Sequence, residues 1–461
     1  MATDAQPQQA LLAAAAALAP DSAGAWALLP PLPATVALQI YNLLAVEERL
    51  RAREVSRAWR QVPGGWRNVD LQMEGWRPHR SLRVLELVTK HVAANSILAL
   101  RVEFPESIYQ ADVENFQNAL TAVVNAHSAT LRTLEVSFRY YMDLALLDAV
   151  LAACPALESC RLDPLRCALF ALADVQQLVA VLKGDGRYSL VALHGLIINH
   201  YDYDAEFEHE ALLCAAVQGH RSLRKLWLSD ICGRAASALA LAAARAGVVD
   251  FEFDSIRVDL DDEAAFVRKV AQLLNDFPVQ RLCTDLIRDD DYARDEPIMT
   301  ALRNHRSLQT LELMEYADFS GANTGVLQQL TGHPTLTHLR LRWPQWDGNR
   351  RFLESLAGVL AASSALTQLS LVGGFGENDF RVIIAGLASP ATRLQKLWIW
   401  EDAGGRNTLR VGCAARVIGP AVLGCASMRE VHFTDEYEGA LYDVQCRLNG
   451  LLQAKDDDEQ D

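Results

Sequence analysis

One apolar pattern recurs along most of this chain and limits what the chain can fold into. It is Leu-x-x-Leu-x-Leu, with other apolar residues in place of some leucines, and it extends from Ile97 to Phe433. Its clearest copies start at Leu131, Leu223, Leu308, Leu336, Leu366 and Leu394. Successive copies are about 30 residues apart, near the upper end of the range for short strand-helix repeats. One such unit cannot bury its apolar side alone, so the pattern predicts a stack of units.

The residues between the copies favour helices. Phe116, Leu120 and Val123 recur at helical spacing after Asp112, a residue type that caps helix starts. Each unit is therefore predicted to contain one short strand and one helix. Helices are wider than strands, so the stack is expected to curve. The predicted fold class is an α/β solenoid with a curved parallel sheet inside and helices outside.

This organisation resembles the leucine-rich repeats of the ribonuclease-inhibitor type, from about Ile97 to Phe433. Repeats of that type place Asn or Cys eight residues after the first leucine, where the side chain bonds to the backbone of the turn. Here those positions hold Arg139, Ile231, Tyr316, Pro344, Gly374 and Asp402. The resemblance therefore implies a leucine-rich-repeat solenoid whose turns differ from repeat to repeat.

The two ends of the array are predicted from shorter signals. Residues 66–71 are expected to form an edge strand, residues 79–95 a helix, and residues 438–452 a helix that caps the last open face. The predicted domains are a disordered Ala-rich N-terminus over 1–25, a helical module over 28–76, the solenoid with its cap over 77–453 and an acidic tail over 454–461.

Several predicted helices end at a histidine. The four positions are His127, His220, His305 and His333. A histidine there is expected to be structural, because its partial positive charge complements the dipole at a helix C-terminus. A role as a metal ligand is the less favoured alternative.

A second motif precedes the repeats. Leu32-Pro33 is followed by Ile40 and Leu44 and, after a charged segment, by Val55-Ser56-Arg57-Ala58-Trp59-Arg60. These residues and their spacing resemble an F-box, a small module of three helices. The chain departs from that family at Thr35, at Ala45-Val46 and at Arg49. The alternative interpretation is a plain helical cap on the solenoid.

The F-box resemblance implies a partner and the residues that contact it. An F-box docks on a Skp-family adaptor of a cullin-RING ubiquitin ligase, and the protein is then a monomer within a hetero-complex. The residues implied in adaptor binding are Leu32, Pro33, Ile40, Tyr41, Leu44, Val55 and Trp59.

Composition excludes some partners and compartments. The chain has 43 Lys and Arg against 58 Asp and Glu, a net charge of −15, which argues against nucleic acid and anionic membrane as partners. No segment has the roughly 20 apolar residues that span a membrane. The nine cysteines are scattered and lack a C-x-x-C pair, so we expect reduced thiols in a cytoplasmic or nuclear protein.

The sequence contains no catalytic motif above background. It lacks H-E-x-x-H, G-x-S-x-G and a P-loop. The acidic segment 289–296 lacks the spacing of a calcium loop, and His194, His200 and His209 lack metal spacing. We therefore expect no catalytic residue, no metal and no cofactor, and we predict that the protein is not an enzyme. A hydrolase or transferase hidden in an insertion such as 201–210 is the least favoured alternative.

The residues that flank the strand leucines are candidates for binding. Side chains alternate along a strand, so these residues are expected on the face opposite the leucines. Tryptophan is common at interfaces, and Trp398 and Trp400 share one face. The predicted substrate-binding residues are Trp227, Glu312, Arg340, Arg342, Trp398, Trp400 and His432. Two structural explanations stay open as alternatives to binding. The tryptophan rings pack against neighbouring side chains, or Glu312 balances the positive charge of His338, Arg340 and Arg342.

These observations support a ranked pair of functions. The first is a substrate-recognition adaptor of an SCF-type ubiquitin ligase, in which the F-box-like module binds the adaptor and the solenoid binds a protein client. The second is a leucine-rich-repeat binding scaffold or inhibitor with no connection to ubiquitin.

Overall fold

The computed structural model describes most of the chain from residue 67 onward. The described ranges are 67–73, 78–104, 110–169, 172–200, 209–256, 263–284, 292–314, 324–343, 350–373, 377–400, 414–434 and 440–458. The seven residues implied in adaptor binding, from Leu32 to Trp59, lie outside these ranges, as does the N-terminus over 1–25.

The described residues form short strands at nearly every copy of the apolar pattern. The strands are β1 (Asn68–Gln72), β2 (Ala99–Glu103), β3 (Thr133–Asp143), β4 (Ser159–Leu169), β5 (Val191–Leu193), β6 (Gly195–His200), β7 (Lys225–Ser229), β8 (Asp250–Asp254), β9 (Arg281–Thr284), β10 (Thr310–Met314), β11 (His338–Trp343), β12 (Gln368–Gly373), β13 (Lys396–Trp400) and β14 (Glu430–Thr434).

Helices alternate with these strands along the chain. They are α1 (Pro78–His91), α2 (Gln110–Ala126), α3 (Leu144–Ala153), α4 (Leu172–Lys183), α5 (Glu210–Gly219), α6 (Gly233–Ala246), α7 (Glu263–Asp276), α8 (Tyr292–Asn304), α9 (Thr324–Leu330), α10 (Arg350–Ala362), α11 (Glu377–Leu387), α12 (Gly419–Gly424) and α13 (Ala440–Asp458). A 3-10 turn (Gly186–Leu190) precedes β5, and a π turn (Ala414–Ile418) precedes α12.

The chain divides into two compact units. Of the described residues, those from 67 to 167 and from 176 to 197 belong to the first, and those from 168 to 175 and from 198 to 458 belong to the second. In the first unit β1, β2, β3, β4 and β5 pair side by side, each parallel to the next. In the second unit the strands from β7 to β14 pair in chain order, also parallel. Both units therefore have the strand-helix repeats of a leucine-rich-repeat solenoid, an α/β fold, as predicted.

The apolar pattern determines which face of each strand is buried. In β10, Leu311 and Leu313 are 0% and 2% exposed, and the equivalent Leu339 and Leu341 of β11 are fully buried. The strand period of two places these leucines on one face, where they pack with apolar residues of the helices. The core thus lies between strands and helices, and the residues between the leucines lie on the opposite face.

The same backbone hydrogen bonds recur where one repeat meets the next. The carbonyl oxygen of Gln280 accepts from the N–H groups of Gln309 and Thr310, and the carbonyl oxygen of Gln309 accepts from those of Thr337 and His338. Each strand is thereby placed in register by the residue that precedes the neighbouring strand. This repeated joint fixes which outward side chains stand beside each other.

The edges of the fold agree with the sequence prediction in most respects. The edge strand β1 and the helix α1 form where they were predicted. Strand β6 was not predicted, because Leu196, Ile197 and Ile198 are consecutive apolar residues without alternation. The capping helix α13 extends to Asp458, past the predicted start of the acidic tail at residue 454, because Gln453, Ala454 and Lys455 are good helix formers.

His333, one of the four histidines at the repeat boundaries, is structural, but for a different reason from the one predicted. The Nε2 atom of His333 lies 3.1 Å from the carbonyl oxygen of Leu302, and its Nδ1 accepts from the N–H of Leu336 at 3.1 Å. Burial lowers the pKa of His333, so the ring is neutral near pH 7. His333 therefore joins neighbouring repeats by hydrogen bonds, and its charge does not complement a helix dipole.

Candidate protein-binding surface

Eight outward residues of the second unit stand beside each other across eight neighbouring strands. The cross-strand register pairs each with the next, in the order Trp227, Glu252, Cys283, Glu312, Arg340, Ser370, Trp398 and His432. We name this set the central row. Neighbouring parallel strands are about 4.8 Å apart, so the row spans roughly 34 Å, the width of a small protein interface.

An ion-pair network occupies the first half of the central row. The guanidinium of Arg281 lies 3.4 Å from a carboxylate oxygen of Asp250, 3.4 Å from one of Glu312 and 3.9 Å from one of Glu252. Arg340 Nε lies 3.3 Å from the other oxygen of Glu312. Glu312 is 6% exposed and is therefore held between two guanidinium groups, which a buried carboxylate requires.

The network shifts the pKa values of its members. Burial raises the pKa of the Glu252 carboxyl to about 7, although Arg281 acts in the opposite direction. Burial and the nearby carboxylates of Glu252 and Glu312 raise the pKa of the Cys283 thiol, which is consequently neutral. Burial opposes the charge of Arg281, but its three carboxylate neighbours together raise its pKa. Near neutral pH, Glu252 is thus the group that exchanges a proton most readily.

An aromatic pair occupies the other end of the central row. The rings of Trp398 and His432 are stacked, with centroids 4.1 Å apart and planes 23° from parallel. His432 Nε2 is also within hydrogen-bond distance of Glu430, whose other oxygen lies 3.0 Å from Lys396 Nζ. The pair remains partly exposed, so a flat, oriented aromatic surface faces outward.

Trp227 begins the central row on β7. Its indole Nε1 is buried, and no residue that the structure describes accepts a hydrogen bond from it. The rest of the ring is partly exposed beside Glu252. Buried indole N–H groups usually have an acceptor. Trp227 therefore presents part of its ring surface at this end of the row, while its indole N–H points into the protein.

The structure places the predicted substrate-binding residues in two adjacent rows. Trp227, Glu312, Arg340, Trp398 and His432 belong to the central row. Arg342 and Trp400 lie two residues farther along β11 and β13, in the neighbouring row, and the side chain of Trp400 is outside the described part. Arg340 is paired with Glu312, as the balanced-charge alternative anticipated.

Four members of the network, Asp250, Glu252, Arg281 and Cys283, were absent from the predicted site. Asp250 lies one row away from Glu252, and Arg281 and Cys283 belong to β9, in which Thr284 occupies the third apolar position of the pattern. Because Thr284 breaks the pattern, the outward positions of β9 were not considered. In the copy of the apolar pattern that begins at Val279, Arg281 is the residue directly before the second apolar position, Leu282, and this position would have identified it.

Neither a metal-binding cluster nor a membrane-spanning helix occurs among the residues that the structure describes. Within the described ranges, no three His, Cys, Asp or Glu side chains gather closely enough to hold a metal ion. No helix in those same ranges has the length and hydropathy needed to cross a bilayer. The network has charged groups in contact but no nucleophile that a base activates.

The fold and this surface define a leucine-rich-repeat class of protein, and one known protein is similar over part of the chain. Ribonuclease inhibitor of Sus scrofa is 31% identical over 107 residues, which are 23% of this chain and 23% of the relative. The match thus spans about a quarter of that relative's length. No family model matches the chain. A solved structure entitled "Crystal structure of TLR13-ssRNA13 complex" aligns with 77% of this chain and 52% of its own, at 10% identity and a TM-score of 0.32.

Proposed function

We propose that this protein is a binding scaffold that recognises another protein through the central row. The observation that carries this proposal is the register itself, which aligns an ion-pair network and an aromatic pair on the face opposite the leucine core. Interfaces are enriched in Trp and Arg, and their strongest contacts lie at oriented, partly desolvated side chains. The partly exposed members of the central row have these properties: Trp227 at one end, Arg340 in the middle and the Trp398–His432 pair at the other end.

The charges of the central row favour a particular partner chemistry. Asp250, Glu252 and Glu312 carry three carboxyl groups against the two guanidinium groups of Arg281 and Arg340. When Glu252 is ionised, above about pH 7, the carboxylates are in excess and a basic side chain of the partner would complete the balance. An apolar or aromatic side chain of the partner would cover Trp398. The proposed client segment therefore combines a Lys or Arg with a bulky apolar residue.

The finer part of the proposal concerns the segment before the repeats. We infer from Leu32-Pro33, Ile40 and the Val55 to Arg60 segment that it is an F-box that docks on a Skp-family adaptor. The protein would then be the substrate-recognition subunit of an SCF-type ubiquitin ligase and raise the local concentration of its client near the ligase. The catalytic chemistry would belong to a separate ubiquitin-conjugating enzyme.

A second candidate is an inhibitor or scaffold unconnected to ubiquitin. The observation that favours it is the similarity to ribonuclease inhibitor over 107 residues. Both candidates use the same binding surface. They differ in whether residues 28–76 contact an adaptor.

One experiment separates the two candidates. The protein is co-expressed with a Skp-family adaptor as wild type and as the double variant Pro33→Ala with Ile40→Asp. Adaptor co-purification that is lost in this variant, but kept in a Gln39→Asp control that adds the same charge next to Ile40, supports the ligase function. If the wild type captures no adaptor, the ligase function is wrong and the scaffold function stands.

A second experiment tests the central row. Proximity labelling identifies neighbours of the wild-type protein, and binding of each purified neighbour is then measured against Trp398→Ala and Arg340→Ala. A partner that loses affinity for both variants, but not for Gln328→Ala on the outer helix α9, uses the central row. Partners that bind all variants equally would place recognition elsewhere.

A further inference from the structure

A basic depression lies away from the central row, at the edge of the second unit where helices end and strands begin. It has a volume of about 860 Å³ and lies among the ends of α5 and α6 and the loops before β7, β8 and β9. Three of its lining residues are arginines, namely Arg221, Arg224 and Arg245. None of the described residues that line it is Asp or Glu. This is unexpected in a chain with a net charge of −15.

The three arginines are held in different ways. Arg224 Nη1 donates to the carbonyl oxygens of Arg221 at 3.0 Å and Leu223 at 2.9 Å, which fixes the guanidinium in its own loop. Arg221 and Arg245 are exposed, and neither bonds to a side chain within the described ranges. The depression therefore contains one guanidinium group that is held in a fixed orientation and two whose N–H groups are available to hydrogen-bond a ligand.

The helix ends at the depression offset only part of this charge. Both α5 and α6 end there, and each C-terminus carries roughly −0.5 of an elementary charge. Two such termini cancel about one of the three positive charges, which leaves a net charge of roughly +2. Complementing the helix dipoles therefore accounts for only one of these arginines.

A glycine shapes the floor of the depression. Gly247 ends α6 with φ of 99°, a conformation that side chains rarely adopt, and its N–H bonds to the carbonyl oxygens of Ala243 and Ala244. These bonds occupy two of the last four carbonyl groups of α6, which would otherwise compete for the arginines. The lining thus presents backbone and guanidinium groups beside the apolar surface of Ala246 and Val249.

We propose that this depression binds an anionic peptide segment through the three arginines, at a site distinct from the central row. Guanidinium groups bind phosphate and carboxylate oxygens by paired hydrogen bonds, and three of them fit either a phosphorylated residue or neighbouring carboxylates. The volume falls within the usual range for ligand sites, whereas the polar lining does not suit an apolar small molecule. The inference goes beyond the proposed function and does not depend on it.

The test uses short fluorescent peptides and the full chain. One peptide carries two phosphoserines, a second carries a run of glutamates, a third is the neutral serine counterpart, and a short single-stranded RNA is included. We expect an anionic peptide to bind and the neutral one not to, with binding that weakens as salt rises. The phosphoserine and glutamate arms identify which anion is preferred.

The variants carry a matched control. Arg221→Ala with Arg245→Ala is expected to weaken peptide binding by about tenfold, because two charge-assisted contacts are lost. Arg303→Ala with Arg306→Ala is the control, since Arg303 is the penultimate residue of α8 as Arg245 is of α6, and Arg306 follows His305 as Arg221 follows His220. Both double variants are checked for unchanged Tm, and Arg221→Gln alone is a milder alternative if the pair unfolds.

Three results would overturn this inference. They are no binding of either anionic peptide, an equal loss in the Arg303 and Arg306 control, and tighter binding of RNA than of either peptide.

Discussion

The indole ring of Trp398 lies against the imidazole ring of His432, with the two centroids 4.1 Å apart on adjacent strands. These residues are separated by 34 positions in sequence and come together only because β13 and β14 pair in register. The stack orients Trp398 and leaves part of it exposed. An aromatic ring that is already oriented loses little conformational freedom when a partner covers it.

Replacing Trp398 by Ala is expected to weaken partner binding far more than folding. The stack contributes on the order of 1 kcal/mol to stability, whereas an anchoring tryptophan at an interface contributes roughly 2 kcal/mol or more to binding. The measurements are the affinity of a partner found by proximity labelling and the free energy of unfolding in urea. A large fall in Tm with unchanged affinity would show that the ring is part of the core.

The Glu252 carboxyl is expected to make stability depend on pH in a defined direction. Its pKa is raised to about 7 in the folded protein, above its usual 4.5, so the folded state binds a proton more readily than the unfolded chain. The stability that Glu252 contributes is therefore present below about pH 4.5 and is lost as pH rises through 7. The full effect is on the order of 3 kcal/mol.

Glu252→Gln tests this pH dependence. The variant keeps the shape of the side chain but does not ionise. Its unfolding free energy minus that of wild type is expected to increase from about pH 5 to about pH 8, as the wild-type carboxylate forms in its buried position. Urea titrations at several pH values provide the comparison. A difference that stays constant over this range would contradict the raised pKa.

The sequence predicts those features of this surface that depend on residues close to each other in the chain, and it does not predict contacts between residues of different repeats. The strand leucines are predicted well, because alternation within one strand decides which side is buried. The contact between Arg281 and Glu312 is not predicted, because the two residues are 31 positions apart in the chain. Only the stacking of repeats brings the Arg281 guanidinium to 3.4 Å from a Glu312 carboxylate oxygen. The stacking register depends on backbone bonds such as those of Gln280, which no side-chain pattern encodes.

His333→Leu is expected to cost roughly 3 kcal/mol of stability. The substitution leaves the carbonyl group of Leu302 and the N–H of Leu336 buried without their partner, and an unmet buried group costs about 1 to 3 kcal/mol. His220→Leu is the control, because His220 is partly exposed, and it should cost less than about 1 kcal/mol. Equal losses would mean that the two hydrogen bonds of the buried His333 do not account for the effect.

The same residue gives a second pH dependence, of opposite sign to that of Glu252. Burial lowers the pKa of His333, so the folded state keeps the ring neutral while the unfolded chain takes up a proton near pH 6.5. The stabilisation by His333 is therefore complete above about pH 6.5 and declines as pH falls. The stability difference between wild type and His333→Leu should shrink from about pH 8 to about pH 5. A difference that grows on acidification would be inconsistent with a neutral ring.

Gly386 allows two helices to approach closely. A Cβ atom at this position of α11 would lie 2.5 Å from the carbonyl oxygen of Ala357 and 3.0 Å from Leu360 Cβ, both on α10. Gly386→Ala should therefore push α11 off α10 and cost about 1 to 3 kcal/mol, the usual range for overpacking. Gly358→Ala on α10 is the matched control, since a Cβ there meets nothing within 4 Å. Gly358→Ala should raise stability by up to about 1 kcal/mol, because Ala has a higher helix propensity than Gly. Urea unfolding should therefore show a loss of stability for Gly386→Ala and a gain for Gly358→Ala. A stabilising Gly386→Ala would refute the close approach.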